Sequence, residues 1–295
     1  MLNKVLVAGG GVLGSQIALQ NAVHGKQVTV YDVADDAITK AKQRIENYKD
    51  LLVADMEDIS DQDATARIAT IKYTTDLAAG LADIDLVIEA VPESMHIKED
   101  FWTKASKVAP EKTIFATNSS TLLPSNLVKF VDRPGKFLAF HFANLVWKHN
   151  TIEVMGHACT DAQVVTTLHD FAREIGMVPI MIKKENPGYV LNGLLNPMTN
   201  AALIMWYTGV ADYETIDRTY LIDLEIPMGP FGSIDMIGLR TICNVLSAYE
   251  QDSIMYKIGQ KIQKEFVDQG KLGTETGEGF YKYPNPAFEQ ADFVK

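Results

Sequence analysis

The sequence predicts an α/β protein, with a mainly parallel sheet in its first two thirds and an all-α domain after it. Three observations carry that reading. Up to residue 185, short β-branched runs alternate with longer helical patterns, as βαβ units do. The first such run leads straight into the glycine cluster Gly9-Gly10-Gly11. Past Asn186-Pro187-Gly188 the strand signals stop, and the chain becomes rich in Leu, Met and Ala. Pro187 suits the first turn of a helix, so domains are expected at 1–185 and 186–295.

In chain order, strands are expected at 4–8, 27–31, 71–74, 85–90, 113–117, 137–142, 151–155 and 178–183. Helices are expected near 12–24, 35–53, 96–108 and 161–175. Runs such as Leu86-Val-Ile88 and Ile114-Phe-Ala116 are apolar throughout, which suits strands covered on both faces. The segment from 186 to about 269 reads as helical. The acidic run Asp55, Glu57, Asp58, Asp61 and Asp63 reads as a solvated loop or helix end.

Composition excludes several classes. The 295 residues, 47% hydrophobic and 22% charged, are globular rather than disordered. Asp and Glu outnumber Lys and Arg by 38 to 27, a net charge of −11, which argues against a nucleic-acid partner. The two cysteines, Cys159 and Cys243, form no CxxC, so neither a disulfide framework nor a zinc site is expected. Residues 2–8 read as a strand rather than a signal peptide. No apolar run nears the ~18 residues of a membrane span. A soluble cytoplasmic protein is expected, without a metal, since His24, His96, His149, His157 and His169 have no ligand-like spacing.

Gly9, Gly11 and Gly14 have the G-x-G-x-x-G spacing, after a strand and before a helix. That context allows a tight turn, close approach of a pyrophosphate, and close helix–sheet packing. Val12 and Leu13 open the helix, whose free N–H groups and partial positive charge favour phosphate. The second strand ends in Asp32, eighteen residues after Gly14. A carboxylate there accepts from the adenosine ribose hydroxyls and repels a 2′-phosphate, so NAD is expected over NADP.

Further stretches are Asp85-Leu-Val-Ile-Glu-Ala90, Thr113-Ile-Phe-Ala-Thr-Asn-Ser-Ser120, His141-Phe-Ala-Asn144, Ile152-Glu153-Val154, Asn186-Pro-Gly-Tyr-Val-Leu-Asn192, Pro227-Met-Gly-Pro-Phe231 and Thr276-Gly-Glu-Gly-Phe-Tyr281. In their order and spacing the chain resembles the 3-hydroxyacyl-CoA dehydrogenase family along almost its whole length. The resemblance implies a Rossmann domain and a helical domain that dimerises. It also implies NAD-linked oxidation of a short-chain 3-hydroxyacyl thioester in fatty acid metabolism. His141 matches the catalytic histidine and Glu153 the carboxylate paired with it. Ser120 and Asn192 match substrate-binding residues, and Glu93, Lys98, Ser120 and Asn144 line the nicotinamide side. These residue types fit the reaction: oxidising a secondary alcohol needs a base, and histidine titrates near ~6.5. A carboxylate on its other nitrogen fixes the tautomer. Ser120 and Asn192 can donate to the oxygen where charge develops on reduction. As residue types alone, Ser120 serves equally as a turn or cap and Asn192 as a helix-surface residue.

The sequence departs from the family pattern at Leu145, where proline is usual, at Gly193, where a basic residue is usual, and at Glu275, often lysine. The basic arm that holds the CoA nucleotide is shortened, with Asp55-Met-Glu-Asp58 in its place. Lys40 and Arg44, four apart on one helix face, remain as the expected nucleotide contact, with Lys42 and Lys49 nearby. The alternative substrate is a free 3-hydroxy acid, as for carnitine- and gulonate-type relatives, and a third reading is a non-catalytic NAD-binding protein. Leu194, Leu195, Met198, Leu203, Ile204 and Met205 are expected to supply a homodimer surface.

Overall fold

The computed structural model describes residues 2–295, in two compact units, Met1–Val190 and Leu191–Lys295. In the first, strands β1 (Lys4–Ala8), β2 (Gln27–Tyr31), β3 (Lys72–Thr74), β4 (Leu86–Glu89), β5 (Ile114–Thr117), β6 (Phe137–Phe142), β7 (Thr151–Met155) and β8 (Val178–Ile182) form one sheet. Its order is β3-β2-β1-β4-β5-β6-β7-β8. The pairs from β3 to β6 are parallel; β7 runs antiparallel to β6, and β8 parallel to β7. The strand order reverses between β1 and β4, and ligands of open α/β sheets bind in the crevice at such a switch point.

Helices α1 (Val12–Val23), α2 (Asp35–Asp55), α3 (Asp61–Ile68), α4 (Leu77–Leu81), α5 (Met95–Val108), α6 (Pro124–Leu127) and α7 (Ala162–Glu174) cover this sheet. Alternate strand residues feed opposite faces. Val5 and Val7 pack into a core with Ile17, Leu19 and Phe140, whereas Leu6 and Ala8 join a second core built on Trp102 and Phe115. Residues 14–22 of α1 are all buried, the polar Ser15, Gln16, Gln20 and Asn21 among them.

Of the two expected readings of the acidic run, the helix end holds for Asp55, Asp61 and Asp63. Asp55 closes α2, and Asp61 and Asp63 enter the first turn of α3, where negative charge complements the helix dipole. Ser60 caps α3 by accepting from Asp63 N–H at 3.0 Å.

The second unit is helical: α8 (Leu191–Tyr207), α9 (Tyr213–Leu224), α10 (Pro230–Ile237), α11 (Leu239–Leu246) and α12 (Ile254–Glu265). Leu203, Phe231, Ile234, Leu239, Ile258 and Ile262 form its core. Leu203, expected at a dimer surface, is therefore a core residue, 1% exposed; Leu194 is 71% and Met205 37% exposed. Among the described residues no helix is long and apolar enough to cross a membrane.

Candidate active site

The glycine loop sits between β1 and α1 at the switch point. Gly9 has φ +99°, and a Cβ on Gly14 would lie 1.9 Å from the Gly9 carbonyl oxygen, so neither position accepts a side chain. A Cβ on Gly11 would meet nothing within 4 Å, and no side chain caps the start of α1. The first turn of α1 thus presents its N–H groups to open space, which fits a pyrophosphate. Asp32 is already oriented: Oδ2 accepts from Gly10 N–H at 2.8 Å and Oδ1 from Val33 N–H at 2.8 Å. Ser15 Oγ and Arg44 Nη1 both donate to the Gly10 carbonyl, each at 3.0 Å. These residues fit an NAD cofactor.

Beyond the glycine loop, Lys98 is fully buried between two carboxylates, with Nζ 2.6 Å from Glu89 Oε1 and 3.2 Å from Glu93 Oε2. Burial pushes the Glu89 carboxyl up, against the pull of Lys98 and of Thr117 Oγ1, which donates at 2.7 Å. Burial acts on Glu93 in the same direction, but Lys98 and the hydroxyls of Ser119 and Thr121 outweigh it and hold that carboxyl at about 2. Glu93 is therefore a fixed anion. Its Oε1 accepts from Ser119 Oγ at 2.5 Å and Thr121 Oγ1 at 2.7 Å, which orders the loop carrying Ser120.

His141 and Glu153 pair directly across β6 and β7. Because these strands are antiparallel, opposite residues project from the same face, and His141 Nδ1 lies 2.9 Å from Glu153 Oε2. A carboxylate only accepts, so Nδ1 carries the proton and Nε2 presents its lone pair. Ser120 Oγ lies 3.1 Å from that Nε2. The second oxygen of Glu153 accepts from Val190 N–H at 2.8 Å. Both members of the pair are buried.

Tyr189 was not singled out by the sequence. Its ring stacks on His141 at 4.5 Å and 12°, and its hydroxyl donates to the Ser119 carbonyl at 2.5 Å. Burial, then the carboxylates of Glu93 and Glu153, push the phenol well above its ordinary range. It stays a neutral wall that fixes the imidazole plane. The signal was present in Asn186-Pro-Gly-Tyr189: Asn186 Nδ2 donates to the Tyr189 carbonyl at 2.7 Å and ties this turn. Asn118 was also passed over; its Oδ1 accepts from Phe142 N–H at 2.8 Å and joins the end of β5 to β6.

The structure thus brings Ser120, His141 and Glu153 together. Glu93 and Lys98 form a second group with Glu89, and Gly9, Gly11, Gly14 and Asp32 a third. Val12 and Leu13 open α1. Asn144 is exposed just past β6, and Asn192 lies in the first turn of α8 in the second unit. Among the described residues, no group of three or more His, Cys, Asp or Glu could hold a metal ion.

The four basic residues of α2 do not form a free stripe. Arg44 is directed at Gly10 as above. Lys49 Nζ lies 2.7 Å from Asp61 Oδ1, and Lys42 sits over the Tyr73 ring at 5.0 Å. Lys40 pairs with Asp36 at 3.0 Å, an exposed contact screened by solvent.

A glycine turn at the switch point, an acid at the end of β2 and a buried His–carboxylate pair fit an NAD-dependent oxidoreductase. Comparison with known proteins identifies the family. Residues 4–186 match the NAD binding domain of 3-hydroxyacyl-CoA dehydrogenase, and residues 188–283 match its C-terminal domain. The chain is 31% identical over 289 residues to the mitochondrial hydroxyacyl-coenzyme A dehydrogenase of Sus scrofa, covering 96% of this chain and 92% of that protein. A solved diketoreductase, described for its dual catalysis of dicarbonyl compounds, is 48% identical with a TM-score of 0.92, covering 96% of this chain and 99% of the other. The (S)-3-hydroxybutyryl-CoA dehydrogenase of Ralstonia eutropha superposes with a TM-score of 0.80 at 29% identity, covering 96% and 100%. The chain belongs to the 3-hydroxyacyl-CoA dehydrogenase family, and its cofactor is NAD.

Proposed function

We propose that this enzyme interconverts a short 3-hydroxy carbonyl compound and its 3-oxo counterpart, with His141 as the base. The observation that carries this reading is the chain from Glu153 through His141 to Ser120, at 2.9 and 3.1 Å. Nε2 takes the hydroxyl proton while the hydride leaves carbon. Glu153 stabilises the imidazolium that forms. Ser120 Oγ turns from Nε2 to the substrate oxygen and donates to it on reduction. Bound NAD supplies the hydride acceptor, held by the Gly9–Gly14 loop and Asp32, with Glu93, Lys98 and Asn144 toward its nicotinamide. Asn192 is assigned to the substrate.

The 3-hydroxyacyl-CoA thioester expected from the resemblance needs Lys or Arg for its nucleotide phosphates. All four α2 cations already have partners in the chain: Lys40 Asp36, Lys42 the Tyr73 ring, Arg44 the Gly10 carbonyl and Lys49 Asp61. This observation supports a second reading of the substrate, as a free 3-hydroxy acid or a dicarbonyl compound, the class named for the diketoreductase relative. We place the free substrate first. The expected result is a KM for 3-hydroxybutyryl-CoA within a few-fold of that for its pantetheine thioester, with free 3-hydroxy acids or diketones turned over comparably. A hundredfold advantage for CoA, worth ~2.7 kcal/mol, would show a nucleotide site and restore the thioester.

We also propose a homodimer through the second unit, because Leu194, Val210, Ile222 and Leu224 are at least half exposed there. Light scattering at micromolar protein is expected to give twice the chain mass, and a monomer mass would refute it. The free thiols, exposed Cys159 and buried Cys243, support a reducing compartment such as the cytoplasm.

A further inference from the structure

Leu145, the residue that stands where the family usually has proline, has φ +57°. A branched side chain in the left-handed region is strained and persists only where its surroundings impose it. Proline could not take this place, because its φ is fixed near ~−65° and it has no N–H. Here the N–H is used: Leu145 N donates to Gln16 Oε1 at 2.7 Å, and Val146 N shares the same oxygen at 3.3 Å. Gln16 is 2% exposed and lies on α1, two residues beyond Gly14. The turn after Asn144 is closed from within, since the Leu145 carbonyl accepts from the N–H groups of Lys148 and His149, each at 2.8 Å. Its far end is pinned to α2, where Trp147 Nε1 donates to Asp55 Oδ2 at 2.9 Å. The acidic end of α2 therefore braces a loop next to the site.

We infer that Gln16 is a positioning residue: by imposing the left-handed turn at Leu145 it sets the direction of Asn144, and so links the dinucleotide helix to the catalytic strand β6. The inference rests on the proposed role of Asn144 at the nicotinamide. One amide oxygen receives two N–H groups in a buried place, so any replacement without an acceptor leaves both unsatisfied. The turn then relaxes from its strained conformation, and Asn144 moves with it. A displacement near ~1 Å of a group facing the reacting centre costs up to ~100-fold in rate.

The test is steady-state kinetics with NAD and the best substrate from the panel above, on Gln16→Met, Gln16→Glu, Asn144→Ala, Leu145→Pro and the pair Gln16→Met with Asn144→Ala. Methionine matches glutamine in length without an acceptor, and glutamate keeps one. Gln16→Met is expected to lower kcat about 10- to 100-fold with KM for NAD within twofold, and Gln16→Glu to recover most of the loss. In the Asn144→Ala background Gln16→Met should add less than a further twofold, because both act on one group. Leu145→Pro removes the donor without touching α1 and is expected to reproduce the kcat loss, which keeps the test open if Gln16→Met does not fold. Undiminished kcat in Leu145→Pro, or losses at Gln16 and Asn144 that multiply in full, overturns the role of Gln16. Undiminished kcat in Asn144→Ala overturns the role of Asn144 itself, and with it this inference.

Discussion

His141→Gln is expected to lower kcat by ~10²–10⁴-fold while leaving NAD affinity near that of the parent enzyme. Glutamine keeps roughly the reach of the imidazole, and its amide can still meet Ser120, but it cannot take a proton. The residual rate would come from orientation and from the remaining hydrogen-bond donors. NAD affinity should hold because the Gly9–Gly14 loop and Asp32 lie on β1, β2 and α1, not on β6. Glu153→Gln is expected to lower kcat strongly as well: its amide oxygen would keep the Val190 N–H, so its NH2 would donate to Nδ1 and the imidazole proton would sit on Nε2, where the base needs a lone pair. Turnover by His141→Gln within threefold of the parent would remove His141 from the mechanism.

Much of this site could be read before the structure because its parts are local. The glycine spacing, the strand before it and Asp32 at the end of β2 follow from periodicity and residue type over some thirty residues. His141 and Glu153 were assigned as a pair through resemblance. What the sequence did not supply was the register: an antiparallel β7 beside a parallel β6 places the two directly opposite, and strand direction is a property of the whole sheet. Tyr189 and Gln16 escaped for a related reason. Each acts through a partner far along the chain, Tyr189 on Ser119 and His141, Gln16 on Leu145, and a lone Tyr or Gln in a helical region carries no periodic signal. Asp55 is exposed at the end of α2, in keeping with the helix-end reading of the acidic run; only its acceptance of the Trp147 indole N–H, a contact 92 residues away, lay beyond the sequence. Short helices fared worst. α4 and α6 have five and four residues, too few for a 3.6-residue period to show.

Replacing Asp235 by alanine is expected to destabilise the second unit by roughly 3–5 kcal/mol, a large share of the ~5–15 kcal/mol that holds a domain together. Its side chain is wholly buried. Oδ1 accepts from Phe280 N–H at 2.9 Å, and Oδ2 from Tyr281 N–H at 2.8 Å and Tyr283 Oη at 3.1 Å. Alanine would strand the two backbone donors, each costing ~1–3 kcal/mol when buried and unpaired. Burial and the neighbouring Asp217 carboxylate raise the Asp235 carboxyl to about 6, although its three donors pull the other way. Asp217 is raised in the same direction, mainly by burial. A carboxyl with a raised folded pKa binds protons more tightly in the native chain. Its stabilising effect is complete below its ordinary value of 3.8 and is lost as pH climbs through about 6. Glu93 in the first unit has the opposite sign: held at about 2, it stabilises above its ordinary 4.5, and that effect fades as pH falls toward 2. Between pH 4 and 7 the helical unit should therefore weaken. Asp235→Asn cannot ionise, so it should show a flatter profile and a smaller deficit against the parent at pH 7 than at pH 4. Urea unfolding of the intact chain at both pH values measures this. A deficit that grows from pH 4 to pH 7 would mean that Asp235 is a stabilised anion, held down by its donors instead of pushed up by burial.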